Sequence, residues 1–312
     1  MELSHFQEDG RNLVRSRDAI EVNESDTTDT RGIMKLAIAS GKGGTGKTTV
    51  ATSMVLSIDD PVVLLDCDVE EPNCHLFLHP EIDAIEKVCM AIPKVHEEYC
   101  TGCGECSQIC QFGAIVMIRS QPLVFPELCH GCGGCALICP EKAITEINRS
   151  IGILRQGTSE GVQFVQGCLN IGEVQSPELI RAVKQNTGNE QITIIDAPPG
   201  TSCPVIETVK DCDYVILVTE PTPFGLHDLK LAVAMVRQLN IPFGVVTNRA
   251  TIGDNKVQEY CDLEGIPILM KIPEDRRIAE AYSKGIPAIR ALPTYKTRFA
   301  ELFVQCFKEA EL

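Results

Sequence analysis

The stretch MKLAIASGKGGTGKTT, residues 34–49, decides the fold of this chain of 312 residues. It begins with an apolar strand pattern, and residues 41–48 then match the phosphate-binding pattern G-x4-G-K-[ST]. A helical pattern starts directly afterwards. A glycine-rich turn between a strand and a helix points backbone N–H groups at phosphate oxygens. We therefore expect a nucleoside triphosphate at this turn, and an ordinary glycine-rich turn is the alternative.

The same motif assigns roles to individual residues. Lys47 is expected to reach the β- and γ-phosphates, and the Thr48 hydroxyl is expected to bind Mg2+. Further nucleotide contacts are expected from Gly43, Gly44, Thr45, Gly46 and Thr49.

Beyond this motif, short apolar runs alternate with helical patterns. Strands are predicted at 35–40, 61–66, 191–196, 213–219, 243–248 and 267–271. Helices are predicted at about 47–58, 177–186, 203–211, 226–239, 254–264, 275–284 and 293–309. Strands that are apolar on both faces and are joined by helices predict an α/β fold, with a mostly parallel sheet covered on both sides.

Two cysteine runs of identical spacing interrupt this alternation. The first run, C-x2-C-x2-C-x3-C, comprises Cys100, Cys103, Cys106 and Cys110. The second run comprises Cys129, Cys132, Cys135 and Cys139, and Pro140 follows it. This spacing is typical of iron–sulfur ligands. A pair of zinc knuckles is the alternative, but zinc does not explain the third and fourth cysteines of each run.

The repeated segment resembles bacterial two-cluster ferredoxins, although Gln111 stands where a proline usually follows the fourth cysteine. In such ferredoxins the fourth cysteine of each run ligates the other cluster. The resemblance therefore implies two [4Fe–4S] clusters. One would be held by Cys100, Cys103, Cys106 and Cys139, and the other by Cys129, Cys132, Cys135 and Cys110.

These patterns predict four segments. Residues 1–33 are expected to be a disordered or non-native extension, because they are polar, acidic and aperiodic. Residues 34–92 and 151–312 are expected to form a P-loop ATPase domain, and residues 93–150 an inserted ferredoxin-like α+β domain. Residues 151–172 are expected to return to the host domain as a β-hairpin.

The run GKGGTGKTT contains an extra lysine, Lys42, and resembles the deviant Walker A motif of the MinD/ParA/Mrp ATPases, a family that includes the nitrogenase iron protein. In that family the extra lysine reaches the nucleotide of a partner subunit. The resemblance therefore implies Mg-dependent ATP hydrolysis in a homodimer that closes on ATP, with a low rate in the absence of a partner protein.

Two acidic segments extend this resemblance. The segment VVLLDCDVEEPNCHLFL, residues 62–78, resembles a strand followed by switch I; Asp66 would lie near Mg2+, and Asp68 would orient or activate the attacking water. The alternative for Asp68 is a helix-capping or turn carboxylate. The segment ITIIDAPPG, residues 192–200, resembles Walker B and switch II. There Asp196 would bind Mg2+ through water, and Gly200 would sense the γ-phosphate.

Two later segments resemble the loops around adenine in that family. VVTNR, residues 245–249, places Asn248 where the family hydrogen-bonds the base, and IPED, residues 272–275, places Pro273 where the family packs against it. An ordinary turn asparagine is the alternative for Asn248.

Composition narrows the possible partners and location. The net charge of −15 argues against nucleic acid and against an anionic membrane as partners. The absence of a signal-peptide pattern, together with the cluster spacing, favours a reducing cytoplasm over a secreted disulfide scaffold for the 16 cysteines. The amphipathic C-terminal pattern is expected to dock on the sheet. The cysteines without ligand spacing are expected in the core: Cys67, Cys74, Cys89, Cys168, Cys203, Cys212, Cys261 and Cys306.

Together these features predict an ATP-hydrolysing iron–sulfur protein that acts on a partner protein. Its output would be electron transfer, or maturation of an iron–sulfur or other metallocofactor. Mrp-type cluster carriers bear a C-x2-C pair in their C-terminal half, and this chain has none there. One alternative is a MinD/ParA-like positioning ATPase with structural or redox-sensing clusters. Another is an amidoligase or dethiobiotin-synthase-like enzyme, which would leave the clusters unexplained.

Overall fold

The computed structural model describes residues 34–186 and 192–310. The predicted extension at 1–33 lies outside these residues. The strands are β1 Lys35–Ala39, β2 Val62–Asp66, β3 Glu81–Val95, β4 Ile115–Ile118, β5 Gln121–Val124, β6 Ile144–Ser159, β7 Val162–Leu169, β8 Ile192–Asp196, β9 Tyr214–Thr219, β10 Phe243–Thr247 and β11 Ile268–Lys271. The helices are α1 Lys47–Val55, α2 His75–Leu78, α3 Glu105–Ile109, α4 Gly134–Ile138, α5 Ser176–Lys184, α6 Cys203–Val209, α7 Pro223–Gln238, α8 Lys256–Glu264, α9 Arg276–Tyr282, α10 Ala288–Ala291 and α11 Thr294–Ala310.

Within the described residues, nine strands form one sheet in the order β11-β10-β9-β1-β8-β2-β7-β6-β3. The pairs from β11 through β7 are all parallel, whereas β6 pairs antiparallel with β7 and with β3. The parallel strands end at one common edge, so their following loops gather there. This confirms the predicted mostly parallel α/β sheet.

Helices cover both faces of the sheet because its central strands are apolar on both sides. One face packs against Leu179 of α5, Val205 of α6 and Val236 of α7, all of them fully buried. The other face packs against Met54 of α1 and Phe299 of α11, also fully buried. Helix α11 therefore docks on the sheet, as its amphipathic pattern predicts. No helix in the described part of the chain is long and apolar enough to cross a membrane.

Strands β3 and β6 form a long antiparallel ribbon that carries the cysteine segment. The last residue of β7, Leu169, pairs with Gly152 of β6. Residues 144–151 of β6 therefore extend past β7 and continue to pair with β3. They project from the sheet edge at which the parallel strands end. Residues 96–143 fold at the tip of the ribbon.

The core strands and long helices lie close to their predicted positions, whereas the ribbon differs from the prediction. The predicted boundaries at 92/93 and 150/151 fall inside β3 and β6. The predicted returning hairpin is present, but its first strand already begins at Ile144 and its second, β7, joins the parallel part of the sheet beside β2. The division into host and inserted domains therefore remains a prediction.

Candidate nucleotide and iron–sulfur sites

The glycine-rich loop between β1 and α1 leaves no room for larger residues at two positions. A Cβ on Gly41 would lie 2.1 Å from the carbonyl oxygen of Asp228 in α7. Gly46 has a φ of 99°, and a Cβ there would lie 2.4 Å from Nδ2 of Asn248. Because L-residues avoid this φ region, Gly46 is required both by backbone conformation and by the space available. The loop is held in place by α7 on one side and by the loop after β10 on the other.

Three side chains from different elements meet at the start of α1. The Thr48 hydroxyl donates a hydrogen bond to Oδ2 of Asp196, at 2.7 Å. Asp66 and Asp196 end the adjacent strands β2 and β8, where they pair directly in register, and both are fully buried. The structure thus brings together the three residues that the sequence assigns to Mg2+.

Asp66 and Asp196 are buried carboxylates on adjacent strands, and their negative charges repel each other. Burial raises the pKa of both groups, and the charge of Asp196 raises the pKa of Asp66 further. Oδ1 of Asp196 is buried and has no hydrogen-bond partner among the described residues. A divalent cation would offset the repulsion and occupy the free oxygen, and hard oxygen ligands are those that Mg2+ prefers. The donor set therefore fits Mg2+ bound with a nucleotide.

Switch I, here residues 67–74, wraps around Asp66. Oδ2 of Asp66 accepts the backbone N–H groups of Asn73 and Cys74, at 3.1 and 3.0 Å, and the side-chain amide of Gln166 at 3.2 Å. The Cys74 thiol donates to Oδ2 of Asp196 at 3.3 Å. Ligand atoms of Asp66, Cys74 and Asp196 all lie within 4.8 Å of one another. Cys74 is buried as expected, and its thiol also lies at the candidate metal site.

Asp68 lies half-buried in the same segment. Burial raises the pKa of its carboxyl to about 7, although the Lys47 ammonium acts in the opposite direction. Its backbone N–H donates to Oδ1 of Asp66 at 3.3 Å. A carboxylate with a pKa near neutrality is suited to accept a proton from water. Across the loop, Gly200 has a φ of 96°, and its N–H donates to the Ser40 carbonyl at 3.0 Å.

Lys42 is held by an acidic residue that the sequence motifs do not indicate. Its ammonium lies 3.4 Å from Oε2 of Glu220, which follows β9 and is largely buried. Arg249 lies 3.0 Å from the other oxygen, Oε1, and also pairs with Glu274. Glu220 is thus shared by two cations, and Lys42 is held within its own subunit.

The two loops assigned to adenine lie side by side. Nδ2 of Asn248 donates to the Thr45 carbonyl of the phosphate loop, at 2.8 Å. The loop that contains Pro273 is tied to the Asn248 loop through the Ala250 N–H and the Ile272 carbonyl, at 2.8 Å. Asn248 therefore supports the phosphate loop in this structure, and its contact with adenine remains a prediction.

The eight cysteines of the two runs line two separate cavities. We call them the distal and the proximal cysteine site, and their open volumes are about 360 and 480 Å3. The distal site is lined by Cys100, Cys103, Cys106 and Cys139. The proximal site is lined by Cys110, Cys129, Cys132 and Cys135. Each run therefore contributes its fourth cysteine to the other cavity, which is the arrangement that the ferredoxin resemblance implies.

The backbone around both cavities is shaped in the same way. Gly102 and Gly104 have φ values of 74° and 82°, and the corresponding Gly131 and Gly133 have values of 64° and 71°. The Gly131 N–H donates to Sγ of Cys129 at 3.4 Å, and the Ala143 N–H donates to Sγ of Cys139 at 3.3 Å. Four thiols around one space, with N–H donors to sulfur, fit an iron–sulfur cluster at each site.

The two sites differ in their distance from the ATPase core. The distal site is lined by Val95 and Ile144, at the tip of the ribbon. It packs against a small separate core, which Cys110 and Cys135 of the proximal site also contact. The proximal site is lined by Ala91 and Pro93, nearer to the sheet. Its Cys129 packs in the same hydrophobic core as α5 to α8.

The sequence patterns did not indicate that Cys74, Gln166 or Glu220 lies at the nucleotide site. Gln166 pairs in register with Asp66, but only the parallel pairing of β7 with β2 places it there. The prediction of 151–172 as a simple hairpin contained no such pairing. Glu220 follows a predicted strand, which makes it recognisable as a residue at the carboxyl edge of the sheet, although its partners are not.

Comparisons with known proteins agree with this geometry. Residues 36–288 match the family described as CobQ/CobB/MinD/ParA nucleotide binding domain. An uncharacterised protein of Methanocaldococcus jannaschii is 32% identical over 258 residues, which is 81% of this chain and 90% of that protein. The iron–sulfur cluster carrier protein of Pyrococcus abyssi is 26% identical over 275 residues, which is 82% of this chain and 79% of that protein.

Among solved structures, the septum site-determining protein MinD of Pyrococcus horikoshii, complexed with Mg-ADP, shares the fold. Its TM-score is 0.53 at 22% identity, and the match covers 86% of this chain and 94% of that chain. The match over residues 36–288 includes the phosphate loop, both acidic strand ends and the Asn248 loop. The chain therefore belongs to the CobQ/CobB/MinD/ParA family of P-loop ATPases.

Proposed function

We propose that this ATPase is a nucleotide-switched iron–sulfur protein that delivers electrons to a partner protein. In this proposal two [4Fe–4S] clusters occupy the distal and proximal cysteine sites, and ATP closes a homodimer. Residues 34–92 and 151–312 supply the ATPase, and residues 93–150 form a ferredoxin-like insert.

One observation supports this proposal above all. The ribbon that carries both cysteine sites projects from the same sheet edge at which the nucleotide site lies, and its strands are continuous with the sheet. A structural change at the nucleotide site would therefore act on β3 and β6, the strands that carry the cysteine segment. Independent modules joined by a flexible linker would not have this connection.

The residues of the nucleotide site divide the work of hydrolysis. Lys47 and the loop N–H groups bind the phosphates, and Thr48, Asp66 and Asp196 hold the cation. Asp68 accepts the proton of the attacking water. Lys42 leaves Glu220 and reaches the nucleotide of the partner subunit, so closing the dimer breaks the intrasubunit pair.

Two features favour electron transfer over release of a cluster. Each cysteine site draws ligands from both runs, so removing a cluster would require separating cysteines held in and around α3 from those held in and around α4. Bound clusters would supply one-electron chemistry, and the four-cysteine sets leave no ligand position open for an acceptor.

The test is anaerobic reconstitution followed by redox titration. We expect about eight iron atoms per chain for two [4Fe–4S] clusters, and a midpoint potential that shifts when MgATP is added. MgADP and ATP without Mg2+ serve as controls. An unchanged potential in the presence of bound MgATP would reject electron delivery.

The second candidate is a cluster carrier, and the names of several relatives favour it. Incubating the reconstituted protein with an apo-ferredoxin distinguishes the two functions. A carrier loses iron to the acceptor in an ATP-dependent manner, whereas the proposed electron donor keeps its iron.

A MinD/ParA-type positioning role is the third possibility, for which the structural similarity shows the fold alone. ATP-dependent sedimentation with liposomes or DNA would favour that role.

A further inference from the structure

Switch I is attached to residues 169–176, the segment from the end of β7 to the start of α5. The Leu169 N–H donates to the Val69 carbonyl at 2.9 Å, and the Ser176 hydroxyl donates to Oε1 of Glu70 at 2.6 Å. Val69 is buried against the backbone of Gly167, where a Cβ would lie 2.6 Å from the valine Cγ1. A displacement of switch I therefore moves residues 169–176 or breaks these contacts.

The same segment is attached to the ribbon. Asn170 donates its N–H to the Ile151 carbonyl at 2.9 Å and its side-chain amide to the Ser150 carbonyl at 3.0 Å. Glu173 accepts a hydrogen bond from Nη1 of Arg149 at 2.5 Å. The Glu173 side chain is only 3% exposed, and its Oε1 also accepts the N–H of Val174 at 2.9 Å.

Arg149 lies opposite the residue that supports the proximal cysteine site. In the β3–β6 register Arg149 pairs with Met90. Met90 is buried against Gly131, where a Cβ would lie 2.8 Å from the methionine Cγ. Gly131 lies between two ligands of that site, Cys129 and Cys132.

The guanidinium of Arg149 is incompletely paired in this arrangement. Its Nε and Nη2 atoms are buried without a hydrogen-bond partner among the described residues. Because unpaired donors are costly to bury, these two atoms would gain from any acceptor that a displacement of Glu173 or of the ribbon brought within reach. Transmission between two sites requires an element with two arrangements, and a new acceptor for these atoms would supply the second one.

We propose that Arg149 is a positioning residue that couples switch I to the proximal cysteine site, through Glu173 on one side and Met90 on the other. The coupling rests on the proposed function, because it requires both a nucleotide switch and an occupied proximal site. The distal site lies beyond the end of this route, so a change in switch I would reach it only through the proximal site.

Hydrogen–deuterium exchange of the full-length protein, reconstituted anaerobically with iron and sulfide, tests this proposal. We expect MgATPγS to change exchange by at least about fivefold in residues 41–49, 67–76 and 129–135 of the unsubstituted protein. In Arg149→Met the response at 41–49 and 67–76 persists, and the response at 129–135 is lost. Glu173→Gln, which keeps the size of the side chain, gives the same pattern and serves if Arg149→Met does not fold.

An ion pair that lies outside this chain of contacts provides a matched control. Arg237 of α7 pairs with Glu264 at 2.6 Å, and Arg237→Met is expected to leave all three responses intact. A response at 129–135 that persists in both route variants overturns the coupling, as does its absence from the unsubstituted protein when residues 41–49 respond. No response at 41–49 would overturn the nucleotide switch itself, and the coupling with it.

Discussion

At the scale of single residues, the nucleotide site joins side chains that are far apart in sequence. Thr48 contacts Asp196, Asn248 supports Thr45, and Glu220 holds Lys42. These contacts divide into those that build the phosphate loop and those that act during hydrolysis. Substitutions should therefore separate nucleotide binding from turnover.

Lys42→Ala and Asp68→Asn are expected to lower the ATPase rate by roughly 100-fold, which is typical for the loss of a proton acceptor or a charged group that acts in the transition state. Nucleotide affinity should stay nearly unchanged, because neither side chain holds the phosphate loop in place. A phosphate-release assay and a fluorescent-nucleotide titration measure the two quantities. Lys308→Ala on α11 is the control, and full turnover in both site variants would contradict the assigned roles.

Asp196→Asn is expected to stabilise the metal-free protein while abolishing its response to Mg2+. The substitution removes the repulsion from Asp66 and keeps an oxygen for the Thr48 hydroxyl. We expect a gain on the order of 1 kcal/mol in the free energy of unfolding, since one unit of pKa corresponds to about 1.4 kcal/mol. Denaturant titration in EDTA, and again with MgATP, measures both effects. Asp83→Asn, at an exposed position of β3, is the control, and a less stable Asp196→Asn protein in EDTA would contradict this account.

The Arg149–Glu173 pair should make stability depend on pH. Burial works against ionisation of Glu173, but the hydrogen bonds from Arg149, Val174 and Gln175 outweigh it and lower the pKa of this carboxyl. Its contribution is therefore present above the unfolded value, near 4.5, and is lost as the pH falls through the lower folded value. Glu173→Gln should cost about 2 kcal/mol at pH 7, and the difference should shrink as the pH falls through the lowered folded value. Chemical unfolding at pH 7 and pH 3 checks this, and a constant difference would argue against it.

Sequence predicted the residues that belong to local motifs but not those that reach the site through strand pairing. Asp66 and Asp196 are recognisable because each ends an apolar strand. Gln166 has no such signal, because its position depends on which strand lies beside β2. Cys74 resembles a small core residue in sequence, and only the path of switch I brings its thiol to Asp196.

At the scale of elements, the cysteine runs exchange their fourth members across the two cavities. Helices α3 and α4 each end just before such a cysteine, so the exchange follows from the direction in which the two short helices point.

This exchange predicts crossed effects. Cys139→Ser should disturb the cluster of Cys100, Cys103 and Cys106, whereas Cys110→Ser should disturb the cluster held by the second run. Each variant should lose up to half of its iron, about four atoms. The EPR spectrum of each should resemble that of a variant lacking a cysteine from the opposite run, such as Cys103→Ser for Cys139→Ser. Cys89→Ser is the control, because Cys89 has no ligand spacing and is exposed, so the expectation that it lies in the core was wrong. Matching spectra within one run would refute the exchange.

Strand β3 was not predicted, and β6 was predicted only where it forms the first strand of the hairpin at 151–172. Much of β3 is exposed, so its sequence lacks the apolar run that marks the buried strands. Charged residues such as Glu86 and Lys87 are tolerated there because β3 is the outermost strand of the sheet. The parallel strands, by contrast, are buried on both faces, so their continuous apolar runs make them predictable from the sequence.

At the scale of the whole molecule, two large cores support the ATPase, whereas among the described residues the small core between the two cysteine sites has three buried side chains: Cys106, Ile115 and Ile144. A segment with so little apolar burial would depend on the proposed clusters for its stability. The cysteine segment and the ATPase should therefore differ in their response to iron removal.

Removing iron with a chelator should open residues 96–143 and leave MgATP affinity within about twofold. Trypsin is then expected to cut first after Arg119 or Lys142, both exposed in this segment. Mass spectrometry of the first fragments, with the iron-loaded protein as the reference, checks the order of cleavage. Initial cleavage inside the ATPase core, or loss of nucleotide binding, would contradict the division between the two regions.

The ribbon that carries the cysteine segment has a consequence for how related chains vary in length. Side chains alternate between the two faces of a strand, so adding one residue to each arm would turn every outward side chain inward. Adding two to each arm would keep the faces and move the metal-binding tip outward by about 6.6 Å. The ribbon already absorbs unmatched residues at two register shifts, near Asp83 and Cys89. Away from such shifts, homologous chains should gain or lose residues here in matched, even-numbered steps, and each step would change the distance that an electron must travel.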